Sequence, residues 1–296
     1  MGKILVTGAN GQLGNEIRNF SGSITDLLFL FTDVDQLDLT NKRKTTSFIE
    51  KHQPDYIVNC AAYTAVDNAE SDKNGAYLIN RDIPVLLSEL SEKIGAKFIH
   101  ISTDYVFPGN KPIPLAEDDE TGPKSVYGAS KLAGEQGIMN SKNTMIIRTS
   151  WLYSLNGSNF VKTMFRLLTE REKIKVVFDQ TGSPTYASDL ASAIVEIIRG
   201  VESEEGQPFL PGIFHYSNEG VASWYDVAVQ ISSIANLTCH IEPVRTEEFP
   251  LPAPRPVYSV MNKKKIRESY QIFIPYWRDS LIKCVNHMKV RTNLKK

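Results

Sequence analysis

Apolar and polar positions fall into repeating blocks along the first half of the chain: a short apolar run, a turn of small residues, then a segment with helical spacing. Ile4-Leu5-Val6 is the first run, followed by a turn carrying Gly8, Gly11 and Gly14 and a helical segment at 15–20. Runs this short predict buried strands rather than helices. Four more lie at 24–31, 56–62, 97–102 and 144–148. Between them the pattern predicts a helix over 45–51 with Thr40 as its N-cap, a long helical stretch over 67–94 broken near Pro84, and a helix over 125–139. Strands alternating with helices predict an α/β fold, a Rossmann-type doubly wound parallel sheet.

Beyond Trp151 the alternation loosens. Segments 159–171 and 187–199 have amphipathic helical spacing, 202–206 is an acidic connection, and Phe214-His215-Tyr216 reads as a short strand. Ser223 is placed to cap a helix running to Ile234, and 277–288 forms a last helix. Residues 249–256 hold Pro250, Pro252, Pro254 and Pro256, too many for a helix, so an extended loop is expected. The expected division is an NAD(P)-binding Rossmann domain over 1–150 and a smaller, mainly substrate-binding lobe over 151–296, with some segments returning to the Rossmann core.

Composition excludes several classes. Lys plus Arg is 33 against 34 for Asp plus Glu, so no basic excess points to nucleic acid. Cys60, Cys239 and Cys284 form no Cys-x-x-Cys pair, so neither a disulfide framework nor a metal site is expected. No apolar run reaches membrane length and no leader pattern opens the chain, so no membrane partner and a cytoplasmic location are expected.

The glycine turn carries the first candidate chemistry. Glycines let the backbone turn sharply and approach a pyrophosphate, which the following helix N-terminus then holds. Asp33 lies about 20 residues beyond, where dinucleotide folds place an acid on the adenosine ribose; neighbouring Asp35 is a second candidate. Cys60, Ala61 and Ala62 are small enough to let a cofactor close. Tyr127 and Lys131 are four apart, hence on one helix face, and Thr103 ends the preceding strand. A tyrosine with a pKa of about 10 needs help to exchange protons near neutrality, and a lysine ammonium one turn away would lower it. Tyr127 would then donate to a developing alkoxide while Thr103 hydrogen-bonds the same oxygen. The competing account is an exposed Tyr–Lys pair and a structural threonine.

Taken together, Thr7-Gly8-Ala9-Asn10-Gly11-Gln12-Leu13-Gly14, Asn59-Cys60-Ala61-Ala62-Tyr63-Thr64-Ala65-Val66-Asp67 and Ser102-Thr103-Asp104-Tyr105-Val106-Phe107 resemble the extended short-chain dehydrogenase/reductases. Within them they resemble the dTDP-4-dehydrorhamnose reductase family. The Val126–Glu135 stretch, Arg148-Thr149-Ser150-Trp151-Leu152-Tyr153, and Arg255-Pro256 with Ser259 and Asn262 strengthen the match. The resemblance implies reduction of the 4-keto group of dTDP-4-dehydro-β-L-rhamnose by NADPH or NADH, the last step toward dTDP-β-L-rhamnose. It implies Tyr127 as acid, Lys131 as its partner, Thr103 as the supporting hydroxyl and Asn80 as support for proton relay. Gly11, Gln12 and Leu13 would follow the pyrophosphate, with Gly8, Asn10 and Gly14 completing the turn. Asp33, Asp38 and Leu39 would border the adenosine, and Ala61, Ala62 and Thr64 the middle of the cofactor. Thr103, Asp104 and Trp151 would contact the deoxysugar, and Arg255 could pair with the diphosphate.

Two features depart from the family. Some relatives are magnesium-dependent dimers with acidic residues near the C-terminus, whereas Val290-Arg291-Thr292-Asn293-Leu294-Lys295-Lys296 has no carboxylate; a homodimer is compatible with the resemblance, a metal bridge is not expected. Asp33 favours NADH where members often accept NADPH, so both cofactors stay open. Two other functions share these motifs: a non-catalytic NADP-binding regulatory subunit like the methionine adenosyltransferase β subunit, and a nucleotide-sugar epimerase or dehydratase. Dehydratases add an acidic pair after the catalytic Ser or Thr, and here Thr103 is followed by Asp104 and then Tyr105.

Overall fold

A computed structural model describes residues 2–204 and 206–293, with side chains to residue 291; residues 294–296 of the carboxylate-free end lie outside the described residues. Six apolar runs pair into one parallel sheet. β1 (Gly2–Thr7) lies between β2 (Leu27–Thr32) and β3 (Tyr56–Asn59), and β4 (Lys97–Thr103), β5 (Thr144–Thr149) and β10 (Gly212–His215) follow in that order. Strands of an all-parallel sheet are covered on both faces. That is why Ile4, Leu5, Val6, Ile57 and Val58, neighbours facing opposite ways, all have no solvent exposure. α1 (Gln12–Ser21) and α8 (Ala187–Glu202) cover one face, setting Leu13, Ile17, Leu190 and Ile194 against Ile4, Val6 and Val58. α2 (Lys42–His52) and α5 (Ile83–Ile94) cover the other, with Ile49, Leu87 and Leu90 against Leu5, Ile57 and Phe98. The chain reverses its direction of travel across the sheet at β1, so a crevice opens beyond the carboxyl ends of β1 and β3. Open α/β sheets bind ligands at such a point.

Beyond residue 150 a second core forms. α7 (Phe160–Glu170), α9 (Trp224–Ala235) and α11 (Trp277–Asn293) pack around Tyr153, Val161, Leu168, Val227, Ile231 and Leu281. β7 (Lys173–Val177) pairs with β12 (His240–Val244), β6 (Leu152–Tyr153) with β9 (Thr185–Tyr186), and β8 (Thr181–Gly182) with β11 (Ala222–Ser223). β10 and α8 belong to the main sheet's layers, and α10 (Lys264–Tyr270) adds Ile266 and Tyr270 to that first core.

The Rossmann-type reading is borne out, and local chemistry moves several boundaries. Asn41, not Thr40, caps α2, accepting the Lys44 N–H at 3.1 Å, while the Thr40 hydroxyl is turned to Asp38. The third strand stops at Asn59, whose Oδ1 accepts the Ala61 N–H at 3.2 Å and bends the chain away. The 67–94 stretch is three helices rather than one broken at Pro84: α3 (Val66–Ala69), α4 (Lys73–Tyr77) and α5, with a π-helical turn at Leu78–Asp82. The break falls where Asp72 caps α4 through the Gly75 N–H at 3.0 Å. Pro84 lies where the π-helical turn passes directly into α5, its missing N–H interrupting the helical ladder at that junction. Ser223 caps α9 as expected, in a capping box with Asp226. Among the described residues no helix is long and apolar enough to cross a membrane.

Candidate active site

At the end of β1, Gly8 turns the chain at φ +62°. A Cβ there would lie 2.5 Å from the Ala61 backbone nitrogen, so glycine alone lets the turn meet the segment after β3. α1 begins at Gln12 with no side-chain cap, which leaves first-turn amides for an anion. Leu13 buries its side chain in the core, so only its backbone faces the turn. The Gln12 side chain reaches into the second lobe instead, accepting from Asn159 Nδ2 at 2.9 Å. Asp33 is bound to the turn, its two oxygens accepting the Asn10 and Val34 N–H groups, each at 2.8 Å. Asp35 is exposed and paired with Gln36, so of the two acids Asp33 is the one tied to the glycine turn. Beside it a cavity of about 140 Å³ is lined by Gly8, Asp33, Asp38, Leu39, Ala61 and Ile83 among others. Ala62 is half-buried and Thr64 exposed on the segment that leads away. A glycine cradle, an uncapped helix, a tethered acid and a small cavity fit a dinucleotide.

Ser125 caps α6 (Val126–Ile138), accepting the Gly128 N–H at 3.1 Å, and this start sets Tyr127 and Lys131 beside the carboxyl end of β4. The Thr103 hydroxyl donates to Asp104 Oδ1 at 3.0 Å and accepts the Tyr105 N–H at 3.2 Å. The same hydroxyl acts on the Tyr127 phenol, drawing its pKa down against burial. Burial pushes Tyr127 up to about 12, so it keeps its proton at neutrality. The Lys131 amine donates to the Ile101 carbonyl at 2.6 Å, with His100 Nε2 at 3.3 Å. Burial lowers Lys131 to about 8, against the opposing pull of Glu135. Burial also lifts Asp104 to about 6, against hydrogen bonds from Ser259 and Thr103. Asn80 is fully buried, and its amide is spent on Tyr63 and Ser130: Oδ1 accepts the Tyr63 N–H at 2.9 Å, and Nδ2 donates to the Tyr63 carbonyl and the Ser130 hydroxyl. Ser130 in turn bonds the Tyr127 carbonyl at 2.8 Å, so Asn80 braces the tyrosine from behind.

On the substrate side, Tyr105 meets the Tyr127 ring edge-on at 5.4 Å and also lines a cavity of about 840 Å³. Phe160, Met164 and Leu251 give that cavity apolar walls, and Arg171, Lys173, Lys175 and Arg255 add positive charge. The Arg255 fork is already engaged, both nitrogens meeting the Asp67 carboxylate at 2.7 Å. Trp151 adopts φ +49° and stacks on Trp224 with centroids 3.5 Å apart. One indole face expected to be open to a sugar is therefore covered, and Trp224, not Trp151, contributes to the cavity wall.

A family model described as the RmlD substrate binding domain matches residues 2–290. The chain belongs to this family. The spore coat polysaccharide biosynthesis protein SpsK of Bacillus subtilis is 41% identical, covering 95% of this chain and 96% of the relative. The dTDP-4-dehydrorhamnose reductase of Sinorhizobium fredii is 40% identical over 94% of this chain and 95% of its own. A solved dTDP-4-dehydrorhamnose reductase from Bacillus anthracis, in complex with NADP, superposes with a TM-score of 0.89 at 40% identity, over 97% of this chain and 100% of that one. The resemblance read from the motifs is thereby borne out.

Within this RmlD-family chain, sequence reasoning missed His100, Asn59 and Trp224. Trp224 left a signal, because Ser223 as N-cap fixes where the next side chain leaves the helix start. His100 and Asn59 left none beyond being polar residues in apolar runs; only strand register brings them together.

Proposed function

We propose that this chain reduces the 4-keto group of dTDP-4-dehydro-β-L-rhamnose with NADPH or NADH to give dTDP-β-L-rhamnose. The observation that carries the reading is that Tyr127 meets Tyr105 edge-on, and Tyr105 also lines the large, partly cationic cavity. The relatives' names and the NADP bound to one of them support the same reading. Residues 1–150 carry most of the cofactor half, and residues 151–296 supply most of the substrate lobe while returning β10, α8 and α10 to the first core.

Gly8, Asn10, Gly11 and Gly14, with the backbone of Gln12 and Leu13, hold the cofactor pyrophosphate; Asp33, Asp38 and Leu39 border its adenosine, and Ala61, Ala62 and Thr64 its middle. The bound nicotinamide supplies hydride to the carbonyl carbon. Tyr127, protonated at neutral pH, gives its proton to the carbonyl oxygen as charge develops there, and the Thr103 hydroxyl steadies that oxygen. Lys131 holds the ribose side of the cofactor and the proton supply behind Tyr127, and Asn80 keeps the helix start in register. Asp104 contacts the sugar beside Thr103, while Trp151 backs Trp224 against it. The basic residues and Arg255 neutralise the diphosphate.

The test is loss of NADPH and NADH absorbance with enzymatically generated dTDP-4-dehydro-L-rhamnose. Stoichiometric oxidation with dTDP-rhamnose as product is expected, and Tyr127→Phe should lose about 10²- to 10⁴-fold in turnover while binding cofactor as before. Cofactor that binds and is never consumed would sink the reductase reading and favour the regulatory one.

A further inference from the structure

A row of polar side chains crosses the buried middle of the main sheet. Thr7, Asn59 and His100 sit in register on β1, β3 and β4, so their side chains share one face. Thr7 and Asn59 are each 1% exposed and His100 is wholly buried. The Thr7 hydroxyl donates to Asn59 Oδ1 at 2.7 Å, Asn59 Nδ2 lies 3.1 Å from His100 Nδ1, and His100 Nε2 lies 3.3 Å from Lys131 Nζ. The row thus runs from the strand that ends at the glycine turn to the lysine beside Tyr127.

The orientation of each member follows from donors and acceptors. Asn59 Oδ1 receives the Thr7 hydroxyl and the Ala61 backbone N–H, and a backbone N–H can only donate. The Asn59 oxygen therefore faces them, and its NH₂ group faces His100. A neutral imidazole that accepts at Nδ1 carries its hydrogen on Nε2. That N–H points at the Lys131 nitrogen, and an N–H facing an ammonium is repulsive whereas one facing an amine lone pair is a hydrogen bond.

We propose that His100 is a positioning residue, locked by Thr7 and Asn59 with its hydrogen on Nε2, and that it favours Lys131 as an uncharged amine pinned between Nε2 and the Ile101 carbonyl. The inference rests on the reductase reading only for its effect on turnover. The titratable groups facing Lys131 are Glu135 one turn along α6, itself engaged by Arg148 on β5, and the Cys60 thiol after β3, which burial keeps protonated; the Tyr127 hydroxyl lies one turn back. Burial holds His100 well below the ordinary histidine range, in keeping with a neutral ring.

Two measurements test this on the cofactor-free full chain, independently of any substrate. ¹⁵N shifts of the His100 ring should report a neutral imidazole protonated on Nε2 throughout pH 5 to 9, roughly the range over which an ordinary histidine titrates; hydrogen on Nδ1, or an imidazolium at neutral pH, overturns the proposal. ¹³Cε-lysine spectra should then place the Lys131 midpoint in three proteins. His100→Asn keeps an acceptor for Asn59 but does not reach Lys131, so the midpoint should rise by about one unit, a tenfold gain in proton affinity. His100→Gln keeps a donor to Lys131 and should leave it within about 0.3 units, well inside that shift. Equal midpoints in all three overturn the proposal. If the midpoints move as stated but dTDP-4-dehydrorhamnose is not reduced, the reductase reading fails and the positioning role stands; if it is reduced, the alkaline limb of kcat/KM should move with the midpoint.

Discussion

Asp104→Asn isolates the energetic effect of burying a carboxylate at the site. Asp104 is 2% exposed, and burial lifts it from 3.8 to about 6. Below pH 3.8 the carboxyl is protonated in both folded and unfolded chains and costs no stability. As pH rises from there through about 6, the unfolded chain releases its proton while the folded one retains it, and stability falls. Above that window the penalty is complete. About two units correspond to roughly 3 kcal/mol. Asparagine keeps the shape and an acceptor for the Thr103 hydroxyl but cannot ionise. Burying its amide costs about 1 kcal/mol at every pH, so the variant should be more stable by about 2 kcal/mol near neutrality, level with the parent between about pH 4 and 5, and about 1 kcal/mol less stable near pH 3. Urea midpoints of both proteins, measured across that window at matched m-values, give the comparison. A gap between the proteins that stays the same at every pH would mean that packing, not charge, separates them. With the substrate, kcat/KM should fall about ten- to a hundredfold, the loss of one hydrogen bond to a charged group.

Gly8→Ala should abolish cofactor binding and destabilise the fold, because its Cβ would fall 2.5 Å from the Ala61 nitrogen at a left-handed φ; retained NADPH affinity by calorimetry would refute the cradle. Glu135→Gln leaves Arg148 buried and short of charge, with side chains now 3% and 2% exposed and 2.7 Å apart. It should cost about 3–5 kcal/mol in urea unfolding, and Lys131 should titrate below its present midpoint because Glu135 now raises it. Asp67→Ala releases Arg255 and the proline-rich loop; limited proteolysis within 249–256 should rise several-fold while the unfolding midpoint moves by about 1 kcal/mol or less, as for a partly exposed ion pair.

The legible parts of the sequence were those where one local rule acts alone. Buried parallel strands are continuously apolar, so Ile4-Leu5-Val6 and Tyr56-Ile57-Val58 announced themselves, and Ser223 with Asp226 spelled out a cap. β12 was hidden because Pro243 lies inside it, which is tolerable only because this strand pairs on a single side, with β7. The break in the 67–94 stretch was misplaced because Pro84 is the conspicuous residue, whereas the Asp72 cap and the π-helical turn decide the path. Thr103, Tyr127 and Lys131 were found as residue types at the right spacing, but their environment was not. Spacing put Tyr127 and Lys131 on one helix face, but only the fold shows that the lysine also meets the Ile101 carbonyl and His100. The covered face of Trp151 was equally invisible, since Trp224 arrives from a helix more than 70 positions later.

Burial is the common cause of the site's unusual protonation. It lifts Tyr127 and Asp104 and lowers Lys131, so each is moved toward its uncharged form within one volume of low dielectric. A phenol that keeps its proton is a poor base but a ready donor once an alkoxide begins to form beside it, because that anion is itself poorly solvated there. On the proposed reading a protonated Tyr127 suits reduction, in which it would give its proton to the carbonyl oxygen. Oxidation would ask the same phenol to start as an anion, which burial opposes. Lys131, lowered to about 8, releases its proton closer to neutrality than an exposed lysine would. The walls of the site thus keep Tyr127 protonated, the state that the proposed reduction requires.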